Sequence, residues 1–401
     1  MGKHFHLETR GFPLAGDGCV HGALRGTQAV FSACDWRDMS SVDRISEWDA
    51  LAQIVAEPNP FFESWFMLPA LDALDPQGSV TILKLEVDGR LFGLMPVKRE
   101  NRYYGYPVPH LRNWVHDNCF LGTPLVARGF ERMFWQHLFS WADRRPRMAA
   151  FLHLTQMPTT GPVHDALQTY LTPKDNARPA ATVMLETRAM LSSTDTSEQY
   201  FDQALSTKKR KELRRQQRRL AEMGTLEVEK LDNADAIADW SQNFLALERR
   251  GWKGKSGSAL ACDIATQSLF CGALEGAAQR GRLQRLAMTL DGQPIAMLAN
   301  FLTAPGAFSF KTAFDEDFAR FSPGVLLQRE NLAMLDRDDI IWTDSCAAQD
   351  HPMIDHFWRE RRTIARHSIG IGGPVRRAIF AALARHETRG HGKPLNMTVS
   401  A

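Results

Sequence analysis

The sequence predicts an α/β protein built as two tandem units. The stretches VTILKLEVDGRLFGLMPV, from Val80, and LQRLAMTLDGQPIAMLAN, from Leu283, align without a gap, and each sets Asp-Gly between two apolar runs. Asp-Gly accepts the positive backbone angles of a two-residue hairpin turn, so both read as paired strands and their likeness as an internal duplication. Residues 308–334 then change from strand-like alternation to helical spacing, as expected where a strand passes into a helix. At 401 residues the chain has room for two ordinary domains, and 44% apolar with 23% charged residues is the composition of a soluble globular protein.

In chain order, residues 1–44 show no clear period and read as an extended lead-in. Helices are expected at 45–55 and 61–74, parted by Pro58 and Pro60, because a proline disfavours helix in the residue before it. Strands at 80–87 and 90–98 flank Asp88-Gly89, followed by a helix at 129–142, a strand at 149–155 and a helix at 163–170. The second half runs as a strand at 226–231, helices at 234–250 and 259–279, and strands at 283–290 and 295–302 about Asp291-Gly292. Strands at 308–314 and 340–345 and a helix at 353–364 complete it. The units are placed at 45–190 and 191–373. Residues 374–401 hold a basic amphipathic helix and a polar end expected to be disordered.

The seam at Ser322-Pro323-Gly324 is a candidate anion seat. Ser322 suits a cap, Pro323 suits a first helical position, and Gly324 lets a ligand approach the backbone. A helix start offers unpaired N–H groups and the positive end of the dipole to a phosphate or pyrophosphate, although most such starts are plain caps.

Composition excludes several classes. Lys plus Arg number 48 against 46 Asp plus Glu, so the net charge of +2 gives no global attraction to nucleic acid or anionic membrane. Six scattered cysteines form no C-x-x-C pair, which suits free thiols in a reducing compartment, and the thirteen histidines make no metal-binding spacing, so no metal is expected. No signal-peptide core and no membrane span are read, and a cytoplasmic protein is expected.

The order of elements in the second half, with the basic segment LSTKKRKELRRQQRRL, the loop GWKGKSGSAL and FSPGVLL, resembles the GNAT acyltransferases. It is most similar to their BioF2-like, or cellulose-biosynthesis CelD-like, branch, related to the Fem aminoacyl transferases. The resemblance covers residues 45–370. It implies two tandem GNAT-like units, each a mixed, mainly antiparallel sheet flanked by helices, with the first unit degenerate and the second holding acetyl-CoA or another acyl-CoA. The first half agrees, having Gly122-Thr123-Pro124 where the second has Ser322-Pro323-Gly324. TDSCAAQDHPMIDHFW departs from the family, which has an acidic, Gly-containing segment there. The resemblance places the pantetheine arm along 308–314, splayed from 340–345. It puts the pyrophosphate on the amides of Ser322, Pro323, Gly324 and Val325, with Arg320 and Arg329 as cationic contacts.

Other motifs keep more than one reading. Eight of the twelve residues 208–219 are cations. On a helix, Lys211, Arg214, Arg215 and Arg218 share a face, which is either solvated, a contact for an anionic substrate or CoA phosphate, or an RNA site lacking aromatic residues for bases to stack on. Gly254-Lys255-Ser256 imitates the end of a phosphate loop, but the first glycine of that motif falls at Arg249, so an NTPase is excluded. Trp252, Lys253 and Lys255 read as a substrate-side wall or as a surface turn. Asp344, Glu248 and His351 are the candidate general bases, Asp344 foremost because strand ends converge on the acyl group; each also has a structural reading. Cys346, near His351, invites a nucleophilic reading that direct transfer does not need. The function expected is N-acyl transfer, as direct attack by a small-molecule, polysaccharide or peptide amine on an acyl-CoA thioester. The alternatives are a Fem-like aminoacyl transferase using charged tRNA and a non-catalytic scaffold.

Overall fold

The structure, a computed structural model, describes residues 28–144, 149–171, 178–355 and 357–389. The first half runs β1 (Ala29–Asp35), α1 (Val42–Ile54), α2 (Ser64–Leu74), β2 (Val80–Val87), β3 (Arg90–Glu100), β4 (His110–Asn113), β5 (Leu125–Val126), α3 (Glu131–Arg144), β6 (Phe151–Pro158), α4 (Pro162–Leu171) and β7 (Ala180–Leu191). The second half begins with α5 (Ser197–Ala204), α6 (Thr207–Ala221), β8 (Leu226–Leu231), α7 (Ile237–Arg250), α8 (Trp252–Lys255), α9 (Ile264–Gln279) and β9 (Leu283–Leu290). It ends with β10 (Gln293–Thr303), β11 (Gly306–Phe314), α10 (Pro323–Asn331), β12 (Trp342–Asp344), β13 (Glu360–Gly370) and α11 (Pro374–Arg389).

Both aligned stretches are hairpins with the same turn. Asp88 and Gly89 have φ of 48° and 75°, and Asp291 and Gly292 have 49° and 77°, so each pair makes the type I′ turn whose twist matches the flanking strands. The strands form one sheet in the order β1-β2-β3-β4-β6-β13-β7-β12-β11-β10-β9-β8, with β5 beside β3. Among the described residues only β4 with β6 and β11 with β12 run parallel. The halves are therefore two copies of one mixed, mainly antiparallel plan, joined at the centre.

The join is an exchange. β7, the last strand of the first half, pairs with β12, while β13, the last strand of the second, pairs with β6. Their own antiparallel ladder, from Glu360–Met190 to Ile369–Ala180, closes the sheet. Helix packing reinforces it, because α2 and α9 cross at Gly272 and Gly276, where a Cβ would stand 3.1 Å from Pro69 and 3.0 Å from Trp65. One apolar core gathers Trp48, Phe61, Trp135, Phe244, Phe270 and Phe310 from both halves; a second lies under α5, α6 and α10 around Tyr200, Leu213, Leu326 and Trp358.

Three expectations change. Among the described residues of 353–364 there is no helix: 353–355 and 357 lie in turns, and β13 begins at Glu360. Its run of arginines suits a helix locally, but the two vacant edges of β6 and β7 bury Ile364 and Ile369 only if it is extended. The lead-in contains an edge strand, β1, paired along its length with β2; residues 1–27 of it lie outside the described residues. β4 and β7, which carry the parallel pairing and the exchange, had no counterpart in the expected order. The polar end, from residue 390, also lies outside the described residues. Among the described residues no helix is long and apolar enough to cross a membrane.

The exchange predicts a complementation result. Cut in the Ser192–Asp195 linker, each half lacks a central strand and should be insoluble alone, because an apolar edge is left open. Co-expressed, the two should elute from a sizing column as a soluble 1:1 complex; a soluble, monomeric second half would contradict the exchange.

Candidate functional site

The two units differ at the point where their parallel strands part. β11 and β12 pair only from Gly306–Trp342 to Phe308–Asp344, so from Ser309 onward one edge of β11 has no strand partner among the described residues. In the first unit β4 and β6 part in the same way after Arg112–His153, but there the opening is filled. The Asn113 side chain donates to Thr155 O (2.9 Å) and Gly122 O (3.1 Å) and accepts from Thr155 N (2.8 Å). Gly122 lies so close that an added Cβ would overlap the Thr155 carbonyl. The following helix is also occupied: Glu131 in the first turn of α3 accepts from Gly129 N at 3.0 Å, where an anionic ligand would have to sit.

Beside the open edge of β11 lies Lys311, a half-buried lysine whose Nζ stands 5.2 Å from the Phe120 ring and 5.5 Å from the Phe310 ring. Burial, then the nearby charge of Lys253, brings its pKa down to about 8. Glu248, Cys346, Asp117 and His116 also act electrostatically on it, so residues of both units meet there. His116 is kept neutral by burial and by Lys311, its pKa pushed down to about 3. The Cys346 thiol is pushed up by burial, which keeps it protonated.

Asp344 ends β12 and is wholly buried. Its Oδ2 accepts from Arg188 of β7 (2.7 Å) and Arg362 of β13 (3.0 Å), and its Oδ1 accepts from Cys346 N (2.9 Å). Burial alone would raise its pKa; the two guanidiniums outweigh it and hold the carboxyl below its ordinary value. Glu248, also buried, accepts from Lys253 Nζ (2.8 Å) through Oε1 and from Leu260 N (2.8 Å) through Oε2, pinning α7 to the segment after it. Lys255 is paired with Glu316 (2.7 Å), which also accepts from Trp252 N, and the Trp252 side chain is exposed. His351 stands beside Lys253; burial and that lysine lower its pKa, and its Nδ1 accepts from Met353 N at 3.4 Å. Glu248 and Lys253 thus gather near Lys311, with His351 on the far side of Lys253, while Trp252 and Lys255 are more exposed on the same segment.

The helix start is built differently from the simple cap expected. Ser322 has φ of 54° and ends the preceding 3-10 turn, donating its N–H to Ala319 O, so its hydroxyl does not cap α10. Its carbonyl takes the N–H groups of Val325 and Leu326, leaving the Gly324 N–H without a partner among the described residues. Pro323 stands at the first helical position. A Cβ at Gly324 would meet Met353 Sδ at 2.9 Å and Phe314 at 3.2 Å. Arg320 is exposed beside Phe321, whereas Arg329 is held by Gln217 Oε1 at 2.9 Å. α6 lies against the 3-10 turn, Gln216 donating to Arg320 O, and turns Lys211, Arg214, Arg215 and Arg218 outward over buried Leu213 and Leu220. Among the described residues no cluster of His, Cys, Asp and Glu is arranged to hold a metal ion.

Sequence reasoning missed Lys311, His116, Asp117, Phe120 and Arg188. Lys311 left a trace, as the one charged residue in the otherwise uncharged strand GAFSFKTAF. The others come from a loop and a strand whose places depend on the exchange.

Comparison with known proteins agrees with this geometry. Residues 207–351 match the family described as acetyltransferase (GNAT) domain. The chain is similar in structure to FemX, with a TM-score of 0.52 and 8% identity over 85% of this chain and 98% of that one. It is also similar to a conserved protein of unknown function from Bacteroides thetaiotaomicron, with a TM-score of 0.52 and 9% identity over 81% and 97%. A tandem GNAT protein from the clavulanic acid biosynthesis pathway gives 0.42 and 14% over 85% and 98%. No curated protein matches the chain by sequence. The match over residues 207–351 places the likeness to GNAT domains in the second half, and the GNAT resemblance seen in the sequence stands.

Asp344→Asn should cost about 3–5 kcal/mol, because two guanidiniums then face a buried neutral group. Since the folded carboxyl titrates below its unfolded value, its stabilisation is present above about pH 4 and is lost as pH falls through the folded value. Urea denaturation across that range should show wild type losing an advantage that the Asn variant never had.

Proposed function

We infer that the chain is an N-acyltransferase that moves an acyl group from an acyl-CoA thioester to an amine in the second unit. The observation that carries this reading is the unpaired edge of β11 beside Lys311, within the segment that matches the GNAT domain. The first unit, with its opening filled by Asn113 and its helix start taken by Glu131, is read as not binding the donor. The thioester lies along β11 from Ser309, with the pyrophosphate facing the Gly324 N–H and Arg320, and α6 adding positive charge. Met353, a flexible thioether, gives way for it; Arg329 acts through Gln217 and α6.

The acceptor nitrogen attacks the thioester carbonyl, forming a C–N bond as the C–S bond breaks. His351, neutral at pH 7 because its pKa is lowered, takes the proton from the amine at Nδ1, which gives up its long 3.4 Å contact with Met353 N to do so. Lys311 in its ammonium form gives a proton to the leaving thiolate, whose ordinary pKa, like that of a cysteine at about 8.5, is close to its own. Unpaired backbone N–H groups of β11 stabilise the oxyanion. In this reading Asp344 and Glu248 position the site instead of serving as its base, since both oxygens of each already accept hydrogen bonds. Trp252 is an apolar wall for the acceptor, with Lys253 and Lys255 near its anionic groups.

CoA release with a panel of amines tests the reading. The pH profile should rise through a value below 6.5, where His351 loses its proton, and fall near 8, where Lys311 loses its own. Lys311→Met should lower turnover by about a hundred-fold to ten-thousand-fold and abolish the upper limb. Absence of CoA release with every amine, together with no rise in melting temperature on adding acetyl-CoA, would refute it.

A second reading, favoured by the exposed cations of α6, makes the donor a charged tRNA, as in the Fem aminoacyl transferases that the sequence resembles. Wild type should then bind tRNA with a steep salt dependence, and reversing Lys211, Arg214, Arg215 and Arg218 should remove it without unfolding the protein. Equal, salt-insensitive binding by both proteins would eliminate this donor.

A further inference from the structure

The strand lent by the first unit brings a guanidinium into the second unit's site. Arg188, in β7, is 3% exposed, and its two terminal nitrogens are used in two directions. Nη2 donates to Asp344 Oδ2 at 2.7 Å, and Nη1 donates to the backbone carbonyl of Phe120 at 2.8 Å. Phe120 belongs to the loop between β4 and β5, the chain that fills the first unit's opening, and its ring is one of the two that face Lys311. Asp344 in turn holds the Cys346 amide, in a residue with φ of 53° that also borders Lys311. One side chain therefore ties together two of the segments that surround Lys311 and come from different units.

We propose that Arg188 is a positioning residue for Lys311, setting the Phe120 ring over the ammonium through the Phe120 carbonyl and the Cys346 segment through Asp344. The fork geometry is what the task needs. A lysine at this place keeps a charge for Asp344, but a single ammonium on a flexible stem does not hold two acceptors in fixed directions. The consequence is read at Lys311, because a Phe120 ring free to move admits water to the ammonium. The groups that face Lys311 are Glu248 of α7, Lys253 of α8, Cys346 after β12, and His116 and Asp117 of the Phe120 loop. None of these is changed by substituting Arg188. The catalytic use of Lys311 rests on the acyltransferase reading above; its positioning by Arg188 does not.

The test therefore needs no substrate. In protein carrying carbon-13-labelled lysine, the Lys311 resonance, assigned by its loss in Lys311→Arg, is followed by NMR against pH. Wild type is expected to titrate near 8, and Arg188→Lys about one unit or more higher, towards the ordinary 10.5. An arginine that serves only stability would lower the melting temperature and leave this titration where it is, which overturns the proposal. If Arg188→Lys does not fold, Phe120→Ala with Arg188 intact decides in its place: the same upward move supports the proposal, and an unmoved titration overturns it. Failure of CoA release with a normal Arg188 effect would count against the acyltransferase reading alone.

Discussion

Asp344, a carboxylate without access to water between Arg188 and Arg362, is the constraint on which the centre of this molecule depends. β12 has three residues, too few to hold its neighbours by backbone ladder alone, and its last residue supplies the charge that both exchanged strands bring arginines to meet. A buried ion pair is weak evidence of net stability, but breaking one is costly, about 3–5 kcal/mol against the 5–15 kcal/mol by which most domains are stable. The two arginines cannot both be paired unless β7 and β13 lie on their proper sides of the join. Register at the exchange is thus specified by charge as well as by pattern.

The duplication has diverged in one direction. Both units keep the hairpin turn and the parting of parallel strands, which belong to the backbone plan. What differs is side-chain chemistry at the parting: an asparagine that satisfies the free backbone of Thr155 in the first, an unpaired strand edge with a titrating lysine in the second. Backbone groups freed by splayed strands need partners. The first unit satisfies them internally, and its loop is released to serve as a wall for the second.

The parts of the fold legible in the sequence were those encoded locally. Asp88-Gly89 and Asp291-Gly292 marked their hairpins because few residue pairs accept that turn, and Lys211, Arg214, Arg215 and Arg218 marked one face of α6 by their spacing. The helix expected at 353–364 fails, because only the vacant edges of two distant strands make its second part extended. The same limit applies to the site. Glu248, Asp344 and His351 were visible as titratable groups near predicted element ends, but nothing local told that Leu260 N or Arg188 would take their hydrogen bonds. Arg188 carried no signal at all, since β7 has no counterpart in the expected order and its partners lie in a loop 68 and a strand end 156 residues away.

The exchange also bears on how the chain is made. As the first unit emerges during synthesis, β6 has no partner on its inner side, and none arrives until Glu360–Gly370 have been translated. β7, already available, is committed to strands not yet made. For most of its synthesis the protein carries an apolar strand edge open to any extended segment nearby, including the matching strand of another nascent copy. Its yield should depend on chaperones more than its final stability suggests.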